Sequence, residues 1–67
     1  MSISNISYEP KGCILEVRFQ NGGIYHYFEV PKKYYAAFLT APSKGAFLNY
    51  RIKPHFHYVK VEDSQAA

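Results

Sequence analysis

The sequence lacks the features typical of secreted, membrane-spanning or disulfide-rich proteins. Its one cysteine, Cys13, cannot form an intramolecular disulfide, which is typical of proteins in a reducing compartment. No segment approaches the roughly 20 consecutive apolar residues that a membrane-spanning helix requires. The first residues show neither the charged start nor the apolar run of a signal peptide. We therefore expect a cytoplasmic protein that has no membrane partner.

Tryptophan is also absent, but the 67 residues include seven tyrosines and five phenylalanines. A domain of this length buries only about 60% of the surface that its unfolded chain exposes, so it can spare few large apolar groups for binding. Tyrosine suits such a domain, because its ring can be buried while its hydroxyl reaches the rim. We expect a single domain over residues 1–61, followed by a frayed tail, EDSQAA, at residues 62–67.

Acidic residues are scarce, with five Asp and Glu against eight Lys and Arg, and the net charge is +3. This excess favours an acidic partner such as RNA, although its size alone identifies none. The candidate phosphate-binding residues are Arg18, Lys32, Lys33, Lys44, Arg51 and Lys53. The candidates for stacking on bases are Tyr25, Tyr27 and Tyr50.

Motifs for catalysis or metal binding are missing as well. His55 and His57 lie on one side of an extended chain, and His26 or Cys13 could complete a zinc site with them. No CxxC or HExxH spacing supports such a site, however. No acidic residue at a motif-like position orients a histidine toward Cys13, and the glycines form neither GxGxxG nor a Walker loop. We therefore expect no enzymatic activity, no metal and no cofactor.

Alternation of apolar and polar residues predicts an antiparallel meander of three strands. Residues 13–19 alternate most clearly. Residues 3–9 are expected to form a short first strand, because Ile6 and Tyr8 are two residues apart, and a third strand is expected from Ile24 to about Glu29. The stretches PKG and QNGG between them are turn signals. Residues 55–61, HFHYVKV, alternate well enough to form a final strand or an extended arm.

Two short helices are predicted between the third strand and this last segment. Pro31 is favoured at a helix start, and apolar residues then recur at three-and-four spacing until Pro42 limits the helix near Ala41. Ser43 is a suitable N-cap for a second helix, which Pro54 ends. The residues expected to face inward in this second helix are Ala46, Phe47 and Tyr50, with Leu48 and Ile52 as further candidates. The predicted fold class is α+β, with both helices on one sheet face.

The loop between the second and third strands decides which side of the third strand is buried. A two-residue loop would place Tyr25 and Tyr27 beside Arg18, as an aromatic and basic surface. A three-residue loop with Gly22 in the left-handed conformation would instead pair Val17 with Tyr25 and move both tyrosines into the core. The need of a small domain for buried aromatic volume favours the three-residue loop.

The order of these features resembles the KTSC domain, a module at the C-terminus of some lysyl-tRNA synthetases that also occurs as a small stand-alone bacterial or phage protein. The resemblance covers nearly the whole chain. The matching residues are Leu15, Val17, Phe19, Gly22, Tyr25, Tyr27, Val30, Pro31, Tyr35, Ala41, Ser43, Gly45, Phe47, Asn49 and Ile52.

This resemblance implies a binding module, because its association with a tRNA-charging enzyme suggests RNA or tRNA as a partner. From the residues and the resemblance together, we expect a non-catalytic domain that binds RNA or single-stranded nucleic acid. The alternative is a protein-interaction adaptor or a homodimer that uses an apolar sheet face.

Overall fold

The computed structural model describes residues 2–63 and has the predicted α+β architecture. Its four strands form one antiparallel sheet in the order β1-β2-β3-β4. Two helical segments connect β3 to β4, and they pack on one face of the sheet. The elements are β1 (Ile3–Glu9), β2 (Ile14–Phe19), β3 (Gly23–Tyr27), α1 (Lys32–Thr40), α2 (Lys44–Phe47), a π-helical segment (Leu48–Ile52) and β4 (Tyr58–Asp63).

The β2–β3 connection is the three-residue loop, at residues 20–22. Gly22 has a φ of 99°, which side chains disfavour, and its N–H donates to the carbonyl of Phe19 at 2.9 Å. Val17 therefore pairs with Tyr25, and Leu15 pairs with Tyr27. Both tyrosines lie on the helix-covered face, as the burial argument favoured.

The core lies between this sheet face and the helices. Leu15, Val17 and Tyr27 meet Phe38 of α1, and each of these side chains is at most 1% exposed. A second contact fixes α1 near β1, where the rings of Tyr8 and Tyr35 stack at a centroid distance of 5.2 Å. The Tyr8 hydroxyl also donates to the carbonyl of Val30 at 2.6 Å, which ties β1 to the chain that enters α1.

Ser43 caps the second helix as predicted, since its side chain accepts a hydrogen bond from the N–H of Ala46. The helix then widens into the π-helical segment, and we call Lys44 to Ile52 together the second helix. Leu48 and Ile52 face the core, and Phe47 stacks on Phe38 at 5.2 Å. The expectation that Ala46 and Tyr50 face inward was wrong, since both are exposed.

β4 completes the sheet by pairing with β3, so the C-terminal segment is a strand rather than a loose arm. It extends to Asp63, two residues into the segment predicted as a frayed tail. The rest of that segment, residues 64–67, lies outside the described residues. Within the described part of the chain, no helix is long and apolar enough to span a bilayer.

Candidate nucleic-acid interface

A cleft of about 180 Å³ opens at the end of the sheet that carries the β2–β3 loop. Its walls come from three parts of the chain, namely the β2–β3 hairpin, β4 and the end of the second helix. The lining residues are Phe19, Asn21, Gly23, Tyr25, Tyr27, Lys53, Tyr58 and Lys60. None of these described lining residues is acidic, so two lysines and several aromatic rings define its chemistry.

Strand pairing brings the rings and one of the lysines together. Tyr25 pairs with Lys60 and Tyr27 with Tyr58, so all four side chains project from the helix-covered face. The ring of Tyr58 lies 5.9 Å from that of Tyr25 and 5.2 Å from that of Tyr27, between centroids. Lys53 follows the second helix directly and reaches the cleft from the opposite side.

Tyr25 and Tyr27 have different positions in this cleft. Tyr27 is only 1% exposed, and its burial beside Tyr58 and Tyr25 raises the pKa of its hydroxyl to about 12. It remains a neutral part of the core and cannot offer a ring face to a base, contrary to its inclusion among the stacking residues. Tyr25 is half-buried and Tyr58 is 45% exposed, so these two rings form the accessible aromatic surface.

The opposite sheet face carries Arg18, which therefore does not share a surface with the tyrosines. Its Nε lies 2.8 Å from Oε2 of Glu16, while Oε1 of the same carboxylate lies 2.9 Å from Nε2 of His26. The hydrogen bond from Arg18, followed by the contact with His26, lowers the pKa of Glu16 below its usual value. The ionised Glu16 offsets the charge of Arg18, so a phosphate contact there would have to compete with this ion pair.

A second hollow, of about 270 Å³, lies between α1 and the second helix. It is lined by Lys33, Tyr34, Ala37, Phe47 and Arg51. The Lys33 Nζ lies 5.9 Å from the centroid of the Tyr34 ring, and the Arg51 Cζ lies 5.7 Å from that of Phe47. We call this site the helix groove, and it unites two of the predicted phosphate-binding residues.

The other predicted residues are more scattered. Lys32 is exposed at the first position of α1, and Lys44 is exposed at the start of α2, where its Nζ donates to the carbonyl of Ala41 at 3.4 Å. Tyr50 is 74% exposed on the second helix. Of the nine candidates, the structure thus brings Tyr25 and Lys53 together with buried Tyr27 in the cleft, and Lys33 and Arg51 together in the helix groove.

The sequence-based prediction missed Tyr58 and Lys60, although their spacing in the sequence indicates that they share one side of a strand. Both lie in the alternating segment HFHYVKV, where a spacing of two residues places them on the same side of a strand. Their proximity to Tyr25 depends on the pairing of β3 with β4, which residues 28–57 separate in sequence. Local patterns do not specify such a long-range pairing.

The histidines and Cys13 do not assemble a metal site within residues 2–63, because no group of three or more potential ligands there is close enough to hold an ion. His55 and His57 line an open hollow beside Phe28, Glu29 and Phe56. The ring of His57 stacks on Phe28 at 6.0 Å. These histidines therefore contribute to an aromatic surface near the start of β4.

Comparison with known proteins identifies the class of this domain. The KTSC domain family model matches residues 1–56, and the chain belongs to that family. A crystal structure of a KTSC domain protein from Yersinia pestis has 36% sequence identity and a TM-score of 0.85 to this chain. The match covers 92% of this chain and 90% of the Yersinia protein, so the two share the whole fold.

Two kinds of sequence relative are found. An uncharacterised protein from Stutzerimonas stutzeri is 37% identical over 62 residues, which cover 91% of this chain and 87% of that protein. A lysine–tRNA ligase from Nostoc punctiforme is 39% identical over 56 residues, which cover 84% of this chain but 10% of the ligase. The same small domain thus occurs nearly alone and as a minor part of a much larger protein.

Proposed function

We propose that this KTSC domain is a non-catalytic module that binds single-stranded RNA, with one base in the cleft against Tyr25 and Tyr58. The observation that carries the proposal is the combination of accessible aromatic rings with Lys53 and Lys60 in one cleft. Proteins that bind single strands use the same combination of stacking rings and a positive groove. RNA binding would place this domain in the cytoplasm.

The size of the cleft supports one flat group rather than a complete small-molecule substrate. Pockets that enclose drug-sized ligands have volumes of about 300–1,000 Å³, whereas this cleft measures about 180 Å³. Stacking on an aromatic ring contributes about 1–3 kcal/mol per base and tolerates any base. We therefore expect little sequence preference, with the two lysines contacting the phosphates beside the stacked base.

The relatives add independent support for RNA. The matching segment in lysine–tRNA ligases from two Nostoc strains, at 39% and 41% identity, belongs to proteins whose name includes a tRNA. We infer that the domain helps such a ligase to hold RNA, and that the isolated domain retains this property. tRNA, especially its unpaired segments, is accordingly the first ligand to test.

A second candidate function is protein interaction or homodimer formation through the helix-free sheet face. Val59 lies on that face, paired with His26, and is 43% exposed, while Val61 of the same strand is 48% exposed. They belong to β4, an edge strand whose outer backbone groups could pair with another strand. Such an apolar interface would respond little to salt, which separates it from RNA binding.

The direct experiment is a titration of the protein with fluorescent tRNA and with an octamer of uridine, at several salt concentrations between 50 and 200 mM. For the octamer, we expect log Kobs to fall linearly with log salt, with a slope of about −0.7 for each phosphate contact. The double variant Lys53→Gln/Lys60→Gln should lower affinity roughly tenfold. It should also reduce the magnitude of the slope by about 1.4.

Lys11→Gln is the control, because it removes one lysine charge, by the same substitution, from the β1–β2 turn, at the opposite end of the sheet from the cleft. Its affinity should stay within twofold of that of the unaltered protein. The RNA proposal fails if neither ligand binds at 50 mM salt, or if the cleft variant and the control bind equally well. Concentration-dependent dimerisation in sedimentation, combined with absent RNA binding, would favour the β4 interface instead.

A further inference from the structure

The helix groove has the chemistry of an anion site, although it lies apart from the cleft. Lys33 and Arg51 are both exposed, and each lies near an aromatic ring. Among the side chains that the structure describes, neither forms an ion pair with a carboxylate. None of the described residues that line this groove is acidic. The charges of Lys33 and Arg51 are therefore available to a phosphate from outside the protein.

The second helix separates the helix groove from the cleft, and a positive residue at or directly after its end lines each site. Leu48 and Ile52 are buried and define its inner side. Arg51 lines the helix groove and Lys53 lines the cleft, so the residues on either side of Ile52 point to opposite flanks. Tyr50 is 74% exposed on the outer side, between the two flanks.

We propose that the helix groove is a second phosphate site for the same RNA strand, which crosses the second helix over Tyr50. This inference rests on the proposed function and specifies the ligand further, as a single strand of several nucleotides. A helix with its side chains is about 10–12 Å across, so the strand must bridge roughly that distance between the two sites. A mononucleotide, which has one base and one phosphate, occupies the cleft, whereas an oligonucleotide of sufficient length occupies both sites.

The test compares uridine monophosphate with uridine oligomers of two, four and eight nucleotides. Affinity should rise from the dimer to the octamer because the longer strands reach the helix groove. Lys33→Gln/Arg51→Gln should weaken octamer binding about fivefold to tenfold. It should lower the magnitude of the salt slope by about 1.4 and leave the affinity for the monophosphate unchanged.

Two further variants separate charge and stacking from folding. Arg51→Lys keeps the positive charge and should retain nearly the full salt slope. Tyr50→Ala should weaken octamer binding at least about fivefold, through the lost stacking, without affecting the monophosphate. All variants are checked by thermal melting, and their exposed positions predict melting temperatures close to that of the unaltered protein.

Octamer binding by the helix-groove variant, the cleft variant and Lys11→Gln shows whether the second site exists. The second site is wrong if Lys33→Gln/Arg51→Gln binds the octamer with the affinity and salt slope of Lys11→Gln, while Lys53→Gln/Lys60→Gln still loses binding. In that case the cleft and the proposed function stand. If the unaltered protein binds no oligomer at 50 mM salt, both proposals fail together.

Discussion

Within residues 2–63, two residues other than glycine hold left-handed backbone angles, and they lie where the chain enters or leaves a strand. Cys13 has a φ of 55° and precedes β2, while Glu29 has a φ of 57° and follows β3. The carbonyl of Cys13 accepts a hydrogen bond from the N–H of Val30 at 2.9 Å, so the two turns meet. We infer that this contact and the surrounding packing hold both residues in a conformation that costs roughly 1–2 kcal/mol for each side chain.

Glu29→Gly should therefore stabilise the domain. Glycine adopts positive φ without a steric cost, although it loses more conformational freedom on folding than glutamate does. The expected balance is a gain of about 0.5–1 kcal/mol in the free energy of unfolding, or a few degrees in melting temperature. Thermal and urea denaturation followed by circular dichroism would measure it.

Glu29→Ala is the control, because it removes the same exposed carboxylate but retains Cβ. It should give no comparable gain. Equal stabilisation by alanine and glycine would show that charge removal, rather than backbone conformation, is responsible.

Among the elements, the second helix connects the core to both candidate binding sites. It is short, and Ser43 satisfies one of its N-terminal donors through the 3.2 Å bond to the N–H of Ala46. Ser43→Ala should lower the free energy of unfolding by about 1 kcal/mol, whereas Ser43→Gly should cost only a few tenths. Chemical denaturation of the two variants tests this order, and an alanine variant as stable as the glycine variant would contradict the capping role.

The sequence allowed the sheet and the helix boundaries to be predicted, because these depend on local patterns. The alternation over residues 3–9 matches β1, and Ser43 marked the start of the second helix correctly. The inward side of that helix was harder to predict, since Phe47 with Tyr50 and Leu48 with Ile52 suggested different faces. In the structure Leu48 and Ile52 of the π-helical segment are buried, and Tyr50 is exposed.

The candidate site was predicted only in part, for a topological reason. Tyr25 and Lys53 were recognised as residue types suited to RNA, but their common cleft exists because β4 returns beside β3. Arg18 was expected to share a surface with Tyr25 and Tyr27 only if the loop had two residues. The three-residue loop shifts the register by one residue and turns both tyrosines to the other sheet face, so Arg18 is left beside Glu16, which offsets its charge.

At the scale of the whole molecule, the protein has its main core on one side of its sheet, and a core of this size leaves only a small net stability. Domains below about 70–80 residues rarely gain more than 3–5 kcal/mol of net stability from a single core. The main core here comprises Leu15, Val17, Phe19, Tyr27, Val30, Phe38, Leu48 and Ile52. Tyr27 is the largest of the fully buried side chains, so its loss affects the entire fold.

Tyr27→Ala should consequently unfold most of the population. Truncation of a buried aromatic side chain costs about 3–5 kcal/mol, which equals or exceeds the stability expected of a domain this small. Tyr50→Ala is a matched control with the same chemical change at a side chain that is 74% exposed, and it should alter stability by no more than about 0.5 kcal/mol. Circular dichroism at 25 °C and urea titration distinguish the two variants. A folded Tyr27→Ala protein with an unchanged urea midpoint would contradict the assignment of Tyr27 to the core and restore it as a candidate for base stacking.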